Sequence, residues 1–137
     1  MGYDLRALVA KRLISYPKLV ALIPEQAMYQ RSGMLKEAPP TERPFLIYHF
    51  GTELTERGVE SQDRRPTRRT VQVWVHDTIG DYYRIDQALD EVRDALVAAP
   101  SESSFLELRF IERSPDFLDP ELHTITRWSR FTATLTE

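Results

Sequence analysis

The side chains that could do chemistry are few: three histidines, His49, His76 and His123, fall on or beside strand-like stretches, with Asp77 as the carboxylate adjacent to one of them. A metal site would need these groups to converge, and no ligand motif enforces it. Histidines in so small a sheet are expected to be partly buried or exposed bystanders. Nucleophilic catalysis would need a serine or threonine with a base and an orienting acid, yet no Gly-x-Ser-x-Gly elbow occurs. The five glycines form neither a phosphate loop nor a dinucleotide turn. Asp116 and Asp119 sit among prolines, where capping a turn is the expected task. With no cysteine, disulfides, thiolate nucleophiles and Cys-ligated zinc are all removed. The sequence therefore predicts no catalytic centre, no metal and no cofactor, and points to surfaces as the seat of function.

Charge marks those surfaces. Acidic Glu53, Glu56, Glu60 and Asp63 lead into basic Arg64, Arg65, Arg68 and Arg69, with Arg57 between, in a polar excursion running from Glu53 to Arg69. Such an excursion is commonly functional or mobile, and its arginines suit phosphates or a neighbour's carboxylates. The bland alternative is a solvated hairpin tip. Opposed to it, Asp86, Asp90 and Asp94 recur at four-residue spacing on a predicted helix, either as solvent face or as a docking stripe for another subunit's arginines. Phe45, Tyr48, Trp74 and Trp128 lie on predicted strands and either fill the core or form an apolar contact patch, a choice left open for Phe45 and Trp74.

The chain has 137 residues, a formal charge of -3 and 42% hydrophobic content, which suits one folded domain over residues 1–137 and is far from the composition of disorder. So balanced a charge argues against wholesale phosphate neutralisation or coating of an anionic membrane. The longest apolar run is Leu19 to Ile23, so neither secretion nor membrane insertion is expected.

The elements that must position these groups follow from periodicity. Asp4 can cap a helix with Leu5, Leu8, Val9, Leu13 and Tyr16 on one side; Pro17 starts a further helical turn that Pro24 closes. Ala27 to Tyr29 is a short strand candidate, and the segment from Met34 to Pro44 is a loop. Phe45 to Phe50 predicts a central strand, and Val71, Val73 and Val75 alternate on a second. Asp81 precedes a helix striped by Ile85, Leu89, Val92, Leu96 and Ala99; Leu106, Leu108 and Phe110 alternate as a strand; His123 to Thr136 closes the chain as a long one. The expected fold is α+β: a single, mostly antiparallel sheet of about five strands, two helices packed on one face, and a long hairpin loop between strands 2 and 3.

In this order, Leu8 and Val9, Ile23-Pro24, Pro44-Phe45-Leu46-Ile47, Val71-Gln72-Val73-Trp74-Val75, the Asp81 to Ala98 helix, Leu108-Arg109-Phe110 and Arg127-Trp128-Ser129-Arg130-Phe131 resemble the tail terminator proteins of long-tailed bacteriophages, also called tail completion or tail-to-head joining proteins. The resemblance spans nearly the whole chain. It implies a non-enzymatic virion subunit of the neck, a homo-hexameric ring on the tail tube that ends polymerisation and meets the head-closure connector, with genomic DNA passing through the lumen unread. It implies, too, assembly in the host cytoplasm, and it gives the Glu53 to Arg69 hairpin to contacts around the ring or with the tube. Glu53, Glu56, Arg57, Arg64, Arg65, Arg68 and Arg69, by that resemblance, and Asp86, Asp90 and Asp94, by charge complementarity between neighbouring copies, form the expected subunit or tail-tube interface. The alternatives are another neck or head-closure connector subunit, and a nucleic-acid-binding module whose sheet stacks bases. The latter lacks the glycine-aromatic signature of an RNA-recognition strand.

Overall fold

A computed structural model describes residues 5–30, 42–55, 67–97 and 106–135. The alternation of Val71, Val73 and Val75 produces the central strand, β3 (Thr67–Asp77), with all three valines fully buried on one face. Two other long strands flank it antiparallel, β2 (Phe45–Thr55) and β6 (Thr124–Leu135). β1 (Met28–Gln30) joins the outer side of β2 in parallel, while β4 (Leu106–Arg113) and the short β5 (Phe117–Asp119) pair successive stretches of β6. The order across the sheet is β1-β2-β3-β6-β4.

Three helices lie over the valine face. α1 (Leu5–Ile14) buries Leu5, Val9 and Leu13; α2 (Pro17–Leu22) follows Pro17 at its first turn; α3 (Tyr82–Val97) buries Ile85, Leu89, Val92 and Leu96 against β3, β4 and β6. Proline at a helix start sacrifices only an amide that has no partner there. Arg12, 3% exposed, is the unexpected member of this layer. Its guanidinium donates to the carbonyls of Leu96 and Leu106, both at 2.8 Å, so it satisfies one of the last acceptors of α3 and ties that helix end to β4.

The α+β class, the mostly antiparallel sheet and the helices on one face match expectation; in detail the sheet has six strands against about five, one pair of them parallel, and the short α2 joins the two expected helices. The polar excursion is also shorter than its composition suggests. β2 continues to Thr55 and β3 begins at Thr67, so Glu53, Arg68 and Arg69 belong to strands and not to a loop. The ladder resumes in register beyond the bulge, Glu53 opposite Arg69, Leu54 opposite Arg68 and Thr55 opposite Thr67. Asp4, Ala99 and most of the 34–44 connection lie outside the described residues.

Candidate interaction surfaces

The arginines of the hairpin divide by parity along β3. Arg69 shares the parity of Val71 and turns to the helix side, where Nε and Nη2 donate to the Gly51 carbonyl at 3.2 and 3.0 Å. Its guanidinium also stands 5.3 Å from the Phe50 ring, which Arg6 approaches at 5.7 Å. Gly51 occupies the register shift between Phe50 and Glu53, and a Cβ there would come within 3.2 Å of Thr70 Cβ. Arg69 thus closes a bulge that leaves a carbonyl without its ladder partner. Arg68, on the other parity, is exposed. Glu56, Arg57, Arg64 and Arg65 lie outside the described residues.

The aspartates of α3 are largely engaged within the chain. Asp86 accepts from Arg127 Nη1, and Asp90 accepts from Arg113 Nη2 at 3.0 Å, which pins the helix across β6 and β4. Pairs this exposed contribute about 0–1 kcal/mol each, so their role is placement more than stability. Asp94 is exposed on the same helix, one turn beyond Asp90. The stripe seen in the sequence therefore offers one carboxylate to solvent and two to the sheet. Spacing alone missed this; the signal was that Arg127 shares the inward parity of Ile125 and Phe131, where a cation needs an anion.

On the sheet face that carries no helix, register aligns Tyr29, Ile47, Trp74 and Trp128 in a row across four strands. All four are half-buried, and the two indoles lie 6.1 Å apart. Arg130 covers Trp128 at 4.6 Å and pairs with Glu112. Tyr48, in contrast, points into the helix layer and Phe45 is fully buried, so of the four aromatics of the sequence reading two are core residues and two, Trp74 and Trp128, stay half-buried on the bare face.

Phe45 belongs to a second, smaller cluster on that bare face. It stacks flat on His76, ring centroids 4.8 Å apart, and meets Tyr29 edge-on. His76 is 4% exposed and its Nδ1 lies 2.9 Å from Thr124 Oγ1. Burial pulls its pKa down to about 4, with Asp119 opposing and Arg43 adding to the shift. His49 is likewise lowered by burial, and His123 sits at a left-handed φ of 56° in the turn before β6. Asp119 Oδ1 accepts from the amides of Glu121 and Leu122 at 3.1 and 3.0 Å, the turn-capping task expected of it. The three histidines stay apart, and among the described residues no group of histidines and carboxylates converges as a metal site would require. No helix among them is long and apolar enough to cross a membrane.

The remaining surface is a corner where the start of α3 meets β5. Asp77 is fully buried and takes a two-toothed grip from Arg84, at 2.6 and 2.7 Å, which holds the Arg84 pKa above its ordinary value. Arg127 donates to the Ser114 carbonyl at 2.6 Å and reaches both Asp86 and Asp116. Ile79, Tyr82 and Tyr83 at the start of α3 and Leu118 on the helix-side parity of β5 are four of the eight exposed large apolar side chains among the described residues, while Phe117, opposite Thr126, belongs to the bare face. Neither charge spacing nor periodicity singled this corner out, because β5 is hidden between Pro115 and Pro120.

No protein-family model matches the chain, and no curated protein sequence does. Among solved structures, the chain is similar to one from the virion of a native gene transfer agent particle, with a TM-score of 0.70 and 18% identity, covering 97% of this chain and 95% of that one. At that identity the likeness establishes a shared fold across the full length of both chains.

Proposed function

We propose that this protein is a structural virion subunit of a phage-like particle, and specifically the ring that caps the tail tube, ends its polymerisation and receives the head connector. The observation that carries this reading is the end-to-end fold likeness to a chain of a gene transfer agent virion, with neither chain holding a substantial extra part. Supporting it, the order of apolar strings along the sequence resembles tail terminators, and that resemblance gives the segment joining β2 and β3 to contacts around the ring or with the tube. No reaction is assigned.

In this reading the subunits associate into a hexamer through heterologous contacts, one patch meeting a different patch on the next copy. Glu53, Glu56, Arg57, Arg64, Arg65 and Arg68 supply the hairpin side, and Asp94 with the exposed edges of Asp86 and Asp90 the other. Arg69 drops to a supporting role because its guanidinium is committed to Gly51. Genomic DNA passes through the lumen without sequence readout, which a chain of formal charge -3 permits, since a strongly basic lumen would hold phosphates. The test is genetic: deleting the chain from a particle-producing genome should yield filled heads beside unjoined tails of uncontrolled length. Normal joined particles of uniform tail length would contradict the proposal.

A further inference from the structure

We infer that the outer edge of β4 is a dimerisation seam, at which a second copy of this chain adds its own β4 antiparallel and continues the sheet across a two-fold axis at Leu108. The inference stands apart from the ring reading, because an isologous pair closes on itself and cannot alone build six-fold symmetry.

β4 ends the sheet: it pairs with β6 on one side, and among the described residues no strand pairs with its other side. Outward-pointing backbone groups there lack a ladder partner, and such an edge is a template for another chain's strand. An open groove of about 600 Å³ runs along this edge, walled by Arg93 and Val97 of α3. Val97 is 40% exposed and Phe110 is half-buried, so the seam covers apolar surface that one chain alone leaves to water. The usable length is short. From Leu106 to Phe110 the ladder is regular, and it then shifts register before Glu112, so five residues are offered with Leu108 in the middle.

Those residues, Leu106-Glu107-Leu108-Arg109-Phe110, are their own complement. With two copies antiparallel about Leu108, Glu107 stands opposite Arg109 of the second copy, and Arg109 opposite its Glu107. On the helix side Leu106 meets Phe110 of the second copy and the two Leu108 side chains meet each other, which carries the apolar row across the seam. Sliding the copies by two residues sets Glu107 against Glu107 or Arg109 against Arg109, and sliding by one sets charges against leucines. Only the Leu108-centred register satisfies both faces. An unrelated strand satisfies the backbone edge equally well; the charge order is what selects a second copy. Within one chain Arg109 and Glu107 already touch at 3.2 Å, with 75 and 62% of their side chains in solvent. So exposed a pair is weak, and exchanging the two internal pairs for two across the seam costs little.

Analytical ultracentrifugation of the full chain over a concentration series, without tail tubes, tests the seam. The parent chain should show a monomer–dimer equilibrium. Arg109→Glu, and separately Glu107→Arg, places like charges opposite each other twice per dimer and should weaken association about tenfold. The double variant Glu107→Arg with Arg109→Glu is again complementary in the same register. It should return the parent equilibrium, yet pair poorly with the parent chain when the two are mixed. Both side chains are exposed, so a thermal scan should find every variant folded. Six-fold rings on tail tubes are scored separately, which keeps failure of the seam distinct from failure of the ring reading. A parent chain that stays monomeric at every concentration overturns the seam, as does a dimer that the single changes leave intact or that the double change fails to restore.

Discussion

The two faces of the sheet are built on different terms. Under the helices, Val71, Val73, Val75, Phe131 and Ala133 are wholly buried against α3 and α1, and even the charges there, Arg12 and Asp77, have defined partners. On the bare face only the Phe45–His76 cluster is closed off, while Trp74 and Trp128 keep contact with water. The covered face holds the molecule together. In the proposed assembly the contacts fall outside that buried layer, so stability and assembly should separate by mutation.

The largest expected effect falls on the covered face. Leu89→Ala, at a fully buried position of α3, should cost about 2–5 kcal/mol in chemical denaturation, because the deleted methyl groups leave a cavity. A loss well below that range would mean that the helix layer is looser than its burial implies. Next comes acid. His76 has a folded pKa of about 4 against 6.5 when unfolded, so the unfolded chain takes up a proton more readily across that window. Stability is then highest above pH 6.5 and falls as pH drops toward 4, by about 3 kcal/mol from this group alone. His76→Asn should flatten that part of the stability profile relative to the parent chain; equal slopes would contradict the assignment.

Trp128→Ala on the bare face should cost less, about 1–2 kcal/mol, since the indole is only half removed from water. Arg69→Ala should lose about 1 kcal/mol for its bonds to Gly51, measured by thermal or urea unfolding. Arg68→Glu, one residue away on the opposite parity, should move stability by no more than about 0.5 kcal/mol and instead impair self-association. A stability loss at Arg68 equal to that at Arg69 would erase the distinction between a strand-bracing and a surface-presented arginine.

Much of this division was legible in the sequence, and the parts that were not share a cause. The valine alternation of β3, the Ile85 to Leu96 stripe of α3 and the Leu106 to Phe110 strand are period signals in apolar residues, and each became the element it suggests. Hidden from that signal were β5, masked by Pro115, Asp116 and Pro120, and the polar outer halves of β2 and β3, which take their pairing from register rather than from apolar content. The surfaces were harder still. Asp86 and Asp90 read as an open stripe because their partners, Arg127 and Arg113, come from strands distant in sequence. Arg12 gave a faint clue, standing three residues from Val9 beside Leu13 on the buried side of α1. The α3–β5 corner gave none, because its apolar residues meet only after β5 pairs with β6.

The central claim is that copies of this chain form a ring at the end of a tail tube. Electron microscopy of tail tubes incubated with the purified protein tests it most directly. The account predicts a six-fold ring of additional density seated on one tube end, with tube lengthening arrested where it sits. Tubes that keep growing with bare ends in the presence of saturating protein would contradict it.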